Sequence, residues 1–434
     1  MPSALIRQLG FFLVRTNRTW DKMLSWGSEL FRRTLQTTAA QPSEAIIAER
    51  DRLRRPERPI EEDPNIAPLI ERVDAEISRC IPSSPSLKLR ITSTDSRSVM
   101  DAISAHFSVN DDVCLPTARQ GSGLISLQGL MLLLELGRAR SEAGEEFLMA
   151  LEEPELHLPP ATQLQIVHRV QALSSQTFIT THSPTIAAMA DPESVIFLRN
   201  NNGELISRPF LQQPVLTDSP NWKRKFFQQS RTDVLAALMH PCTLIPEGKT
   251  EFYIIKIILR PLMLTDGWTS LMERPFNLEV GTVPTEDAKV VETFDELALT
   301  HQRIACIVDG DADGQRYARS LMDKEVKPYA IIAWQNNATI EDAIGWILAA
   351  DENNAVLGLN EQLEIEFSNI AAVVAHLKSK KMDLVLYEQV ADLIANNQAC
   401  REKAAKLFSA LCSACNNEPS NHFANIEGIW VFQP

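Results

Sequence analysis

The sequence lacks several features that define common classes of protein. No apolar run reaches the roughly 18 residues that a membrane-spanning helix needs. Its seven cysteines are an odd number scattered over 434 residues, which excludes the framework of a small disulfide-rich secreted domain. Together with a net charge of −14, these absences favour a cytoplasmic protein that is not attached to a membrane and does not hold nucleic acid by bulk positive charge.

Cysteine also offers little evidence for a metal site. Cys412 and Cys415 form one Cys-x-x-Cys in a segment with a helical pattern, but the chain has no second such pair nearby. A zinc site normally needs four ligands of this kind. We therefore interpret the pair as part of a packed helical face, with a zinc or redox site as the less favoured alternative.

The chain is long enough for two or three domains. Five prolines amid dense charge mark an exposed linker before residue 69. We predict an α/β protein with the following segments: an N-terminal helical segment with its linker (1–68), a first α/β domain (69–210), a connector (211–240), a second α/β domain (241–350) and a helical C-terminal segment (351–434).

Two short apolar runs of the second domain end in carboxylates. Cys242–Pro246 is followed by Glu247, and Ile304–Val308 is followed by Asp309. Both runs are typical of buried parallel strands, and strands and helices alternate between them and beyond, as in a doubly wound sheet. We predict strands at 276–280, 303–308 and 329–333. Ligands of such sheets bind at the carboxyl edge, where both acids fall.

More acids accompany these two strand ends. If the chain after residue 308 stays extended, alternation places Asp309, Asp311 and Asp313 on one side. Glu251 falls in the first turn of a helix that begins after Gly248. Oxygen ligands of this kind suit Mg²⁺ or Mn²⁺. The alternative is that these residues are solvated loop acids.

Glu341 is a further candidate. It lies in the first turn of a predicted helix for which Thr339 is a plausible cap, so it either faces the other acids or only favours the helix start.

The first domain carries three pieces in order. A glycine-rich stretch, Gly121, Ser122 and Gly123, opens a long helix, and backbone amides at such a start can contact an anion. A buried strand at 147–151 then ends in Glu152 and Glu153. A second strand at 177–181 is followed by His182.

In this order the three pieces resemble the second half of an ABC-type ATPase, with its signature loop, Walker B acids and switch histidine. The resemblance implies that Glu152 supports Mg²⁺, that Glu153 orients the attacking water and that His182 senses the γ-phosphate of ATP. No Gly-x-x-x-x-Gly-Lys-Ser/Thr loop occurs in residues 1–120. We therefore interpret residues 69–210 as a partial ATPase domain and do not expect normal ATP turnover by this chain alone.

The acid-tipped strands resemble a Toprim domain, in which Glu247, Asp309 and Asp311 would hold metal. An ABC-type ATPase half followed by a Toprim domain is the arrangement of the OLD family nucleases, which include the nuclease subunit of the Gabija antiphage system. The resemblance implies a two-metal DNA endonuclease in which Glu251, Asp313 or Glu341 contributes to a second ion.

The same resemblance implies further partners and residues. Lys403 or Lys406 would approach the transferred phosphate, although a solvated helix lysine is the favoured interpretation of each. We expect DNA as substrate, a homo-oligomer and a helicase or ATPase partner subunit. Two alternatives remain: a regulatory protein whose second domain serves only assembly, and an ATPase subunit completed by a partner that carries the phosphate loop.

Overall fold

The computed structural model describes residues 10–14, 44–72, 89, 106–110, 113–116, 119, 121–201, 203–265, 274–381 and 383–434. The chain divides into two compact units, Met1–Thr181 and His182–Pro434. The boundary that we predicted at residue 210 therefore falls inside the second unit. Among the described residues, no helix is long and apolar enough to cross a membrane.

The first unit is built around a small parallel sheet. Its strands are Phe11–Val14 (β1), His106–Asn110 (β2), Val113–Pro116 (β3), Leu148–Glu152 (β4) and Gln176–Thr180 (β5), and its helices are Glu44–Arg54 (α1), Ser122–Glu142 (α2) and Pro160–Leu173 (α3). β4 lies between β1 and β5 and runs parallel to both, while β2 and β3 form a separate antiparallel pair. Apolar residues of α2 and α3 pack with those of β1 and β4 in one core.

One prediction for the first unit is wrong. We expected helix throughout the N-terminal segment, but Phe11–Val14 is a strand that pairs with Leu148–Glu152. The apolar run Phe11-Phe12-Leu13-Val14 is short and leaves Val14 buried, which suits a strand better than a helix. Most of the remaining residues up to 43 lie outside the described part of the chain.

The second unit contains more elements. Its strands are Ile196–Asn201 (β6), Glu204–Pro209 (β7), Cys242–Pro246 (β8), Val280–Thr282 (β9), Ile304–Val308 (β10), Ala330–Ala333 (β11), Phe423–Ile426 (β12) and Ile429–Phe432 (β13). Its helices are Pro184–Ala187 (α4), Asn221–Arg224 (α5), Arg231–Leu238 (α6), Lys249–Met263 (α7), Phe276–Glu279 (α8), Val290–Ala298 (α9), Ala312–Met322 (α10), Ile340–Leu348 (α11), Glu352–Leu363 (α12), Ile370–Ser379 (α13), Leu384–Asn396 (α14) and Gln398–Cys415 (α15).

A six-stranded sheet in the order β12-β13-β11-β10-β8-β9 forms the centre of this unit. β13, β11, β10, β8 and β9 are parallel, and β12 alone is antiparallel to its neighbour. Every residue of β8 and β10 is buried, as the continuous apolar runs predict. Alternate residues of β10 belong to two different cores: Ala305 and Ile307 to one, and Ile304, Cys306 and Val308 to the other. Burying each of the larger side chains contributes about 1.5–3 kcal/mol.

Two predictions for the second unit need correction. The predicted strand at 276–280 is a short helix, Phe276–Glu279, followed by the strand Val280–Thr282. Pro275 is the N-cap of this helix, and Phe276, its first residue, is buried. We also expected helix to the end of the chain. Gln398–Cys415 is helical, but Phe423–Ile426 and Ile429–Phe432 form a hairpin.

The C-terminal hairpin has a clear cause in the sequence. Gly428 has a φ of +89°, which suits the turn, and Ile429-Trp430-Val431-Phe432 alternates between half-buried and buried side chains. Trp430 pairs with Ile332 of β11, so the hairpin completes the sheet. Cys412 and Cys415 are both fully buried in α15, in agreement with the packed helical face that we favoured.

Candidate functional site

The first unit places its predicted acids at the carboxyl edge of its sheet. Glu152 is the last residue of β4, and the backbone N–H of Glu153 donates to the carbonyl of Thr180 at the end of β5 at 2.8 Å. Glu153 has a φ of +45°, a left-handed backbone that is uncommon outside glycine and costs about 1–3 kcal/mol when the surroundings enforce it. The hydroxyl of Thr181 donates to Glu155 Oε1 at 2.6 Å.

The glycine-rich stretch begins α2 as predicted, with Gly121 as N-cap and Ser122 as the first helical residue. A Cβ on Gly123 would collide with the carbonyl oxygen of His157, so only glycine permits this approach of backbone to backbone. His182 follows β5 directly in sequence and is the first residue of the second unit.

The sheet register of the second unit brings its first two acids together. Ile307 of β10 lies beside Pro246 of β8, so the residues that follow the two strands are neighbours. The backbone N–H of Asp309 donates to Glu247 Oε2 at 2.9 Å. Asp309 is buried, and its Oδ1 has no hydrogen-bond partner among the described residues.

Two glycines permit this tight turn after β10. A Cβ on Gly310 would collide with the carbonyl oxygen of Gln335, and a Cβ on Gly314 would collide with that of Asp309. The N–H of Gly310 donates to the carbonyl of Ala338 at 2.8 Å, which fixes the turn against the segment that leads into α11. Both glycines therefore set the position of the Asp309 carboxylate.

Helix starts supply the other buried acids of the cluster. Glu251, in the first turn of α7, accepts a hydrogen bond through Oε2 from the N–H of Gly248 at 3.0 Å. Glu341, in the first turn of α11, is 1% exposed and accepts hydrogen bonds from the hydroxyls of Thr339 at 2.5 Å and Tyr387 at 3.2 Å. Thr339 is the N-cap residue of α11, as the sequence predicts.

The pKa values show that these carboxylates influence one another. Burial and then the charges of Glu251 and Glu247 raise the pKa of Asp309 to about 8. Burial and then the charges of Glu247 and Glu341 raise the pKa of Glu251 to about 7. The pKa of Glu247 is also raised, mainly by burial. The acid cluster, defined as Glu247, Glu251, Asp309 and Glu341, is therefore a set of mutually repelling groups at one sheet edge.

Asp311 and Asp313 occupy the rim of this cluster. The chain does not stay extended after Asp309: Asp311 becomes the N-cap of α10 and accepts a hydrogen bond from the N–H of Gly314 at 2.8 Å. Asp313 lies in the first turn of α10 and forms an exposed ion pair with Arg316 at 2.8 Å. The expectation that Asp309, Asp311 and Asp313 share one side is therefore wrong, although the charges of Asp311 and Asp313 raise the pKa of Glu247.

The lysine near the cluster is not the one that the sequence suggested. Lys403 Nζ lies 4.4 Å from the ring centroid of Trp346, and Lys406 is exposed on α15. Lys381, just after α13, is instead the lysine whose charge lowers the pKa of Glu247, Glu251 and Asp309. The sequence signals for Lys381 and for Tyr387 are weak, since neither stands close along the chain to an acid of the cluster.

The donor set of the acid cluster suits a divalent cation. Its ligands are all carboxylate oxygens, and the buried, unpaired Oδ1 of Asp309 is an acceptor with unused capacity. In the present side-chain positions, no three His, Cys, Asp or Glu residues in the described ranges are arranged to hold one ion. The hydrogen bonds above explain this, because Glu247, Glu251 and Glu341 are each turned toward a local donor. Rotation of these side chains is required before several could contact one ion.

Comparison with known proteins identifies the first unit. Residues 14–187 match the family model of an AAA ATPase domain. An AAA-type ATPase domain is thus present, which implies the use of a nucleotide, usually with Mg²⁺. The match begins well before the predicted domain start at residue 69. No curated protein matches the chain.

One solved structure similar to the chain is the crystal structure of Stu0660 of Streptococcus thermophilus. The two are 14% identical, with a TM-score of 0.30, over 53% of this chain and 64% of that one. The chain thus spans less than two thirds of the length of that protein.

Proposed function

We propose that this chain is a metal-dependent DNA endonuclease whose activity is regulated by its AAA-type ATPase domain. The observation that carries the proposal is the convergence of Glu247, Glu251, Asp309 and Glu341 at the carboxyl edge of β8 and β10, with Asp309 Oδ1 buried and unpaired. Four acids that repel one another in a buried site are costly unless a cation or protons neutralise them. The resemblance to a Toprim domain of the OLD family supports the same assignment.

Each residue has a defined part in this proposal. Glu247, Asp309 and Asp311 would hold one Mg²⁺ or Mn²⁺, and Glu251, Asp313 or Glu341 would contribute to a second. Bound ions would supply an activated water and stabilise the leaving 3′-oxygen of the phosphodiester. Asp309 and Glu251 exchange protons for the ion, so the proposed site binds metal more tightly as pH rises. Lys381 replaces Lys403 as the lysine that we place near the scissile phosphate.

Several features of the proposal extend beyond the site. We propose a cytoplasmic homo-oligomer that acts on DNA with a helicase or ATPase partner, in a role such as antiphage defence. A second candidate is a regulatory subunit without nuclease activity. Two observations favour that candidate: residues 1–120 have no phosphate loop, and the described acids are not arranged around one ion.

The test compares the wild-type chain with Asp309→Ala and with Asp323→Ala, a matched control on the exposed end of α10. On supercoiled plasmid with Mn²⁺, we expect nicking by the wild type and the control, none by Asp309→Ala, and none by any protein in EDTA. We also expect Mn²⁺ to raise the Tm of the wild type more than that of Asp309→Ala. Equal nicking by the wild type and Asp309→Ala would assign the cleavage to a contaminant or to another site in the chain. Absence of both nicking and metal-dependent stabilisation would favour the regulatory subunit.

A further inference from the structure

A pocket lies at the amino ends of β8 and β10, the strands whose carboxyl ends carry the acid cluster. It has a volume of about 410 Å³ and is formed within the second unit by four segments. β6 and β7 supply one wall, the residues after α6 supply another, and the turn before β10 completes it. Pro241 and Arg303, which directly precede β8 and β10, both line the pocket.

The charge of this pocket is opposite to that of the chain. Arg199, Arg208 and Arg303 line it, and none of its lining residues is Asp or Glu, although the net charge of the chain is −14. Within the described ranges, none of the three guanidinium groups lies within 4.0 Å of a carboxylate oxygen. An arginine pocket without a carboxylate, in a chain rich in carboxylates, favours an anion from outside.

Two of the arginines are positioned by contacts with neighbouring residues. Arg199 donates to the carbonyls of Leu238 at 3.1 Å and His240 at 3.2 Å, at the end of α6. Arg303 donates to Asn416 Oδ1 at 3.2 Å, and its guanidinium carbon lies 5.2 Å from the centroid of the Tyr329 ring. These contacts fix the two side chains but use only some of the five N–H donors on each. The remaining donors have no hydrogen-bond partner among the described residues.

His301 supplies a second, independent indication of a ligand. It is 6% exposed and lines the pocket, and its Nε2 is buried without a hydrogen-bond partner among the described residues. Nδ1 lies 2.7 Å from the Thr300 hydroxyl, and the ring packs edge-on against Phe197 at 5.3 Å between centroids. An unpaired imidazole nitrogen in a buried position costs about 1–3 kcal/mol. A ligand atom would recover this cost once the ring turns Nε2 toward the pocket, because Nε2 is shielded in the present side-chain position.

We propose that this pocket binds a phosphate group, held by the guanidinium groups of Arg199, Arg208 and Arg303 and by His301 Nε2. Guanidinium groups match the geometry of phosphate oxygens and stay charged at all physiological pH values. Burial, followed by the charge of Arg199, lowers the pKa of His301 to about 4. A bound anion would oppose that effect and allow the ring to donate a second hydrogen bond. The phosphate belongs to a nucleotide or to a nucleic acid, and both offer the same chemistry.

Arg208 is the best residue for a test. No hydrogen bond or ion pair of its guanidinium is present among the described residues, so its removal leaves no carbonyl or ring without a partner. We compare the full chain with Arg208→Gln, with Arg208→Lys and with Arg319→Gln, a control on the exposed face of α10. The probe is pyrophosphate in EDTA at constant ionic strength, measured by calorimetry and by the rise in Tm relative to chloride.

We expect the wild type and Arg319→Gln to bind pyrophosphate equally, and Arg208→Gln to bind about tenfold more weakly, since it loses one charge-assisted contact. Arg208→Lys keeps the charge but not the planar donor pair, so it should fall between them. Equal affinity of all four proteins, or no binding by the wild type, would overturn the proposal. If Arg208→Gln has a lower Tm than the wild type without ligand, the proposal is judged from Arg208→Lys instead. An affinity of Arg208→Lys equal to that of the wild type would then overturn it.

Two oligonucleotides distinguish the source of the phosphate. A short single strand with a 5′-phosphate is compared with the same strand without it, again in EDTA. If only the phosphorylated strand binds in an Arg208-dependent way, the ligand is a terminal phosphate of a nucleic acid. If both strands bind equally in an Arg208-dependent way, the ligand is a backbone phosphate. If pyrophosphate binds in an Arg208-dependent way and neither strand does, the ligand is a free phosphate or a nucleotide. All these measurements read binding without metal, so their outcome does not depend on whether the chain cleaves DNA.

Discussion

At their carboxyl ends, β8 and β10 lead into Glu247 and Asp309, whereas Arg303 and the other arginines of the phosphate pocket lie before their amino ends. A five-residue strand spans roughly 17 Å, so two regions of opposite charge lie within one small sheet. Both regions collect like charges: most of the acids are buried, whereas Arg199 and Arg208 are half-buried and Arg303 is exposed. The acid end therefore favours a cation, and the arginine end favours an anion.

The two ends reduce their repulsion by different chemistry. A carboxylate can take up a proton, and the raised pKa values of Asp309 and Glu251 show that the acid end does so near neutral pH. Arginine cannot lose its proton under these conditions. The arginine end relies instead on fixed contacts, of Arg199 with the end of α6 and of Arg303 with Tyr329. The acid end is thus adjustable by pH, and the arginine end by the ligand that it binds.

The largest effect that separates the two ends is expected for Arg199→Ala. Its guanidinium donates to three carbonyls at the end of α6, those of Leu238, His240 and Pro241. We expect its loss to lower the free energy of unfolding by about 2–3 kcal/mol, because these carbonyls lose a charged donor. Urea unfolding followed by tryptophan fluorescence measures the change. Arg208→Ala is the control and should cost less than about 0.5 kcal/mol. Equal losses for both would show that Arg199 is not part of the framework.

More of the acid end than of the arginine end could be predicted from the sequence. Cys242–Pro246 is apolar except for Thr243, and Ile304–Val308 is apolar throughout, so the sequence predicts two buried parallel strands with Glu247 and Asp309 at the same edge. Thr339 as a helix cap was also visible. These features are local along the chain, and short-range rules are enough to find them.

Features that depend on distant segments could not be predicted. Arg199, Arg208 and Arg303 lie on separate segments, and only the packing of β6 and β7 against the turn before β10 brings them together. Lys381 approaches the acids because α13 packs against α11, which no local pattern indicates. Asp311 was expected to face the metal, but a helix start at Ala312 uses it as a cap. In that case local helix chemistry competed with the extended backbone that the alternation argument requires.

The second prediction concerns pH. Below a pH of about 8, Asp309 is protonated in the folded chain, whereas in the unfolded chain it is ionised above about 4. The folded state therefore binds more protons in this window, and its stability falls as pH rises. Between pH 6.5 and 8 we expect the free energy of unfolding to fall by about 1.6 kcal/mol for the wild type in EDTA, and this loss should be absent in Asp309→Asn.

Asp323→Asn serves as the control for the pH measurement, because it removes the same charge from an exposed site. It should follow the wild type across the window. His301 contributes the opposite slope at lower pH: its pKa is lowered to about 4, so stability falls as pH decreases from about 6.5. Identical pH profiles for the wild type and Asp309→Asn would show that Asp309 is ionised in the folded chain and would remove the physical basis of the acid cluster.

The smallest effect is expected for Lys381→Met. Lys381 is exposed, yet its charge favours the ionised forms of Glu247, Glu251 and Asp309. Its loss should lower stability where those carboxylates are charged, by less than about 1 kcal/mol at pH 8.5 and by a smaller amount at pH 5.5, where Glu251 and Asp309 are protonated. Lys380→Met, one residue earlier and also exposed, is the matched control and should show no such difference between the two pH values. An equal loss of stability for Lys381→Met at both pH values would mean that Lys381 stabilises the fold by packing and that its charge does not act on the acid cluster.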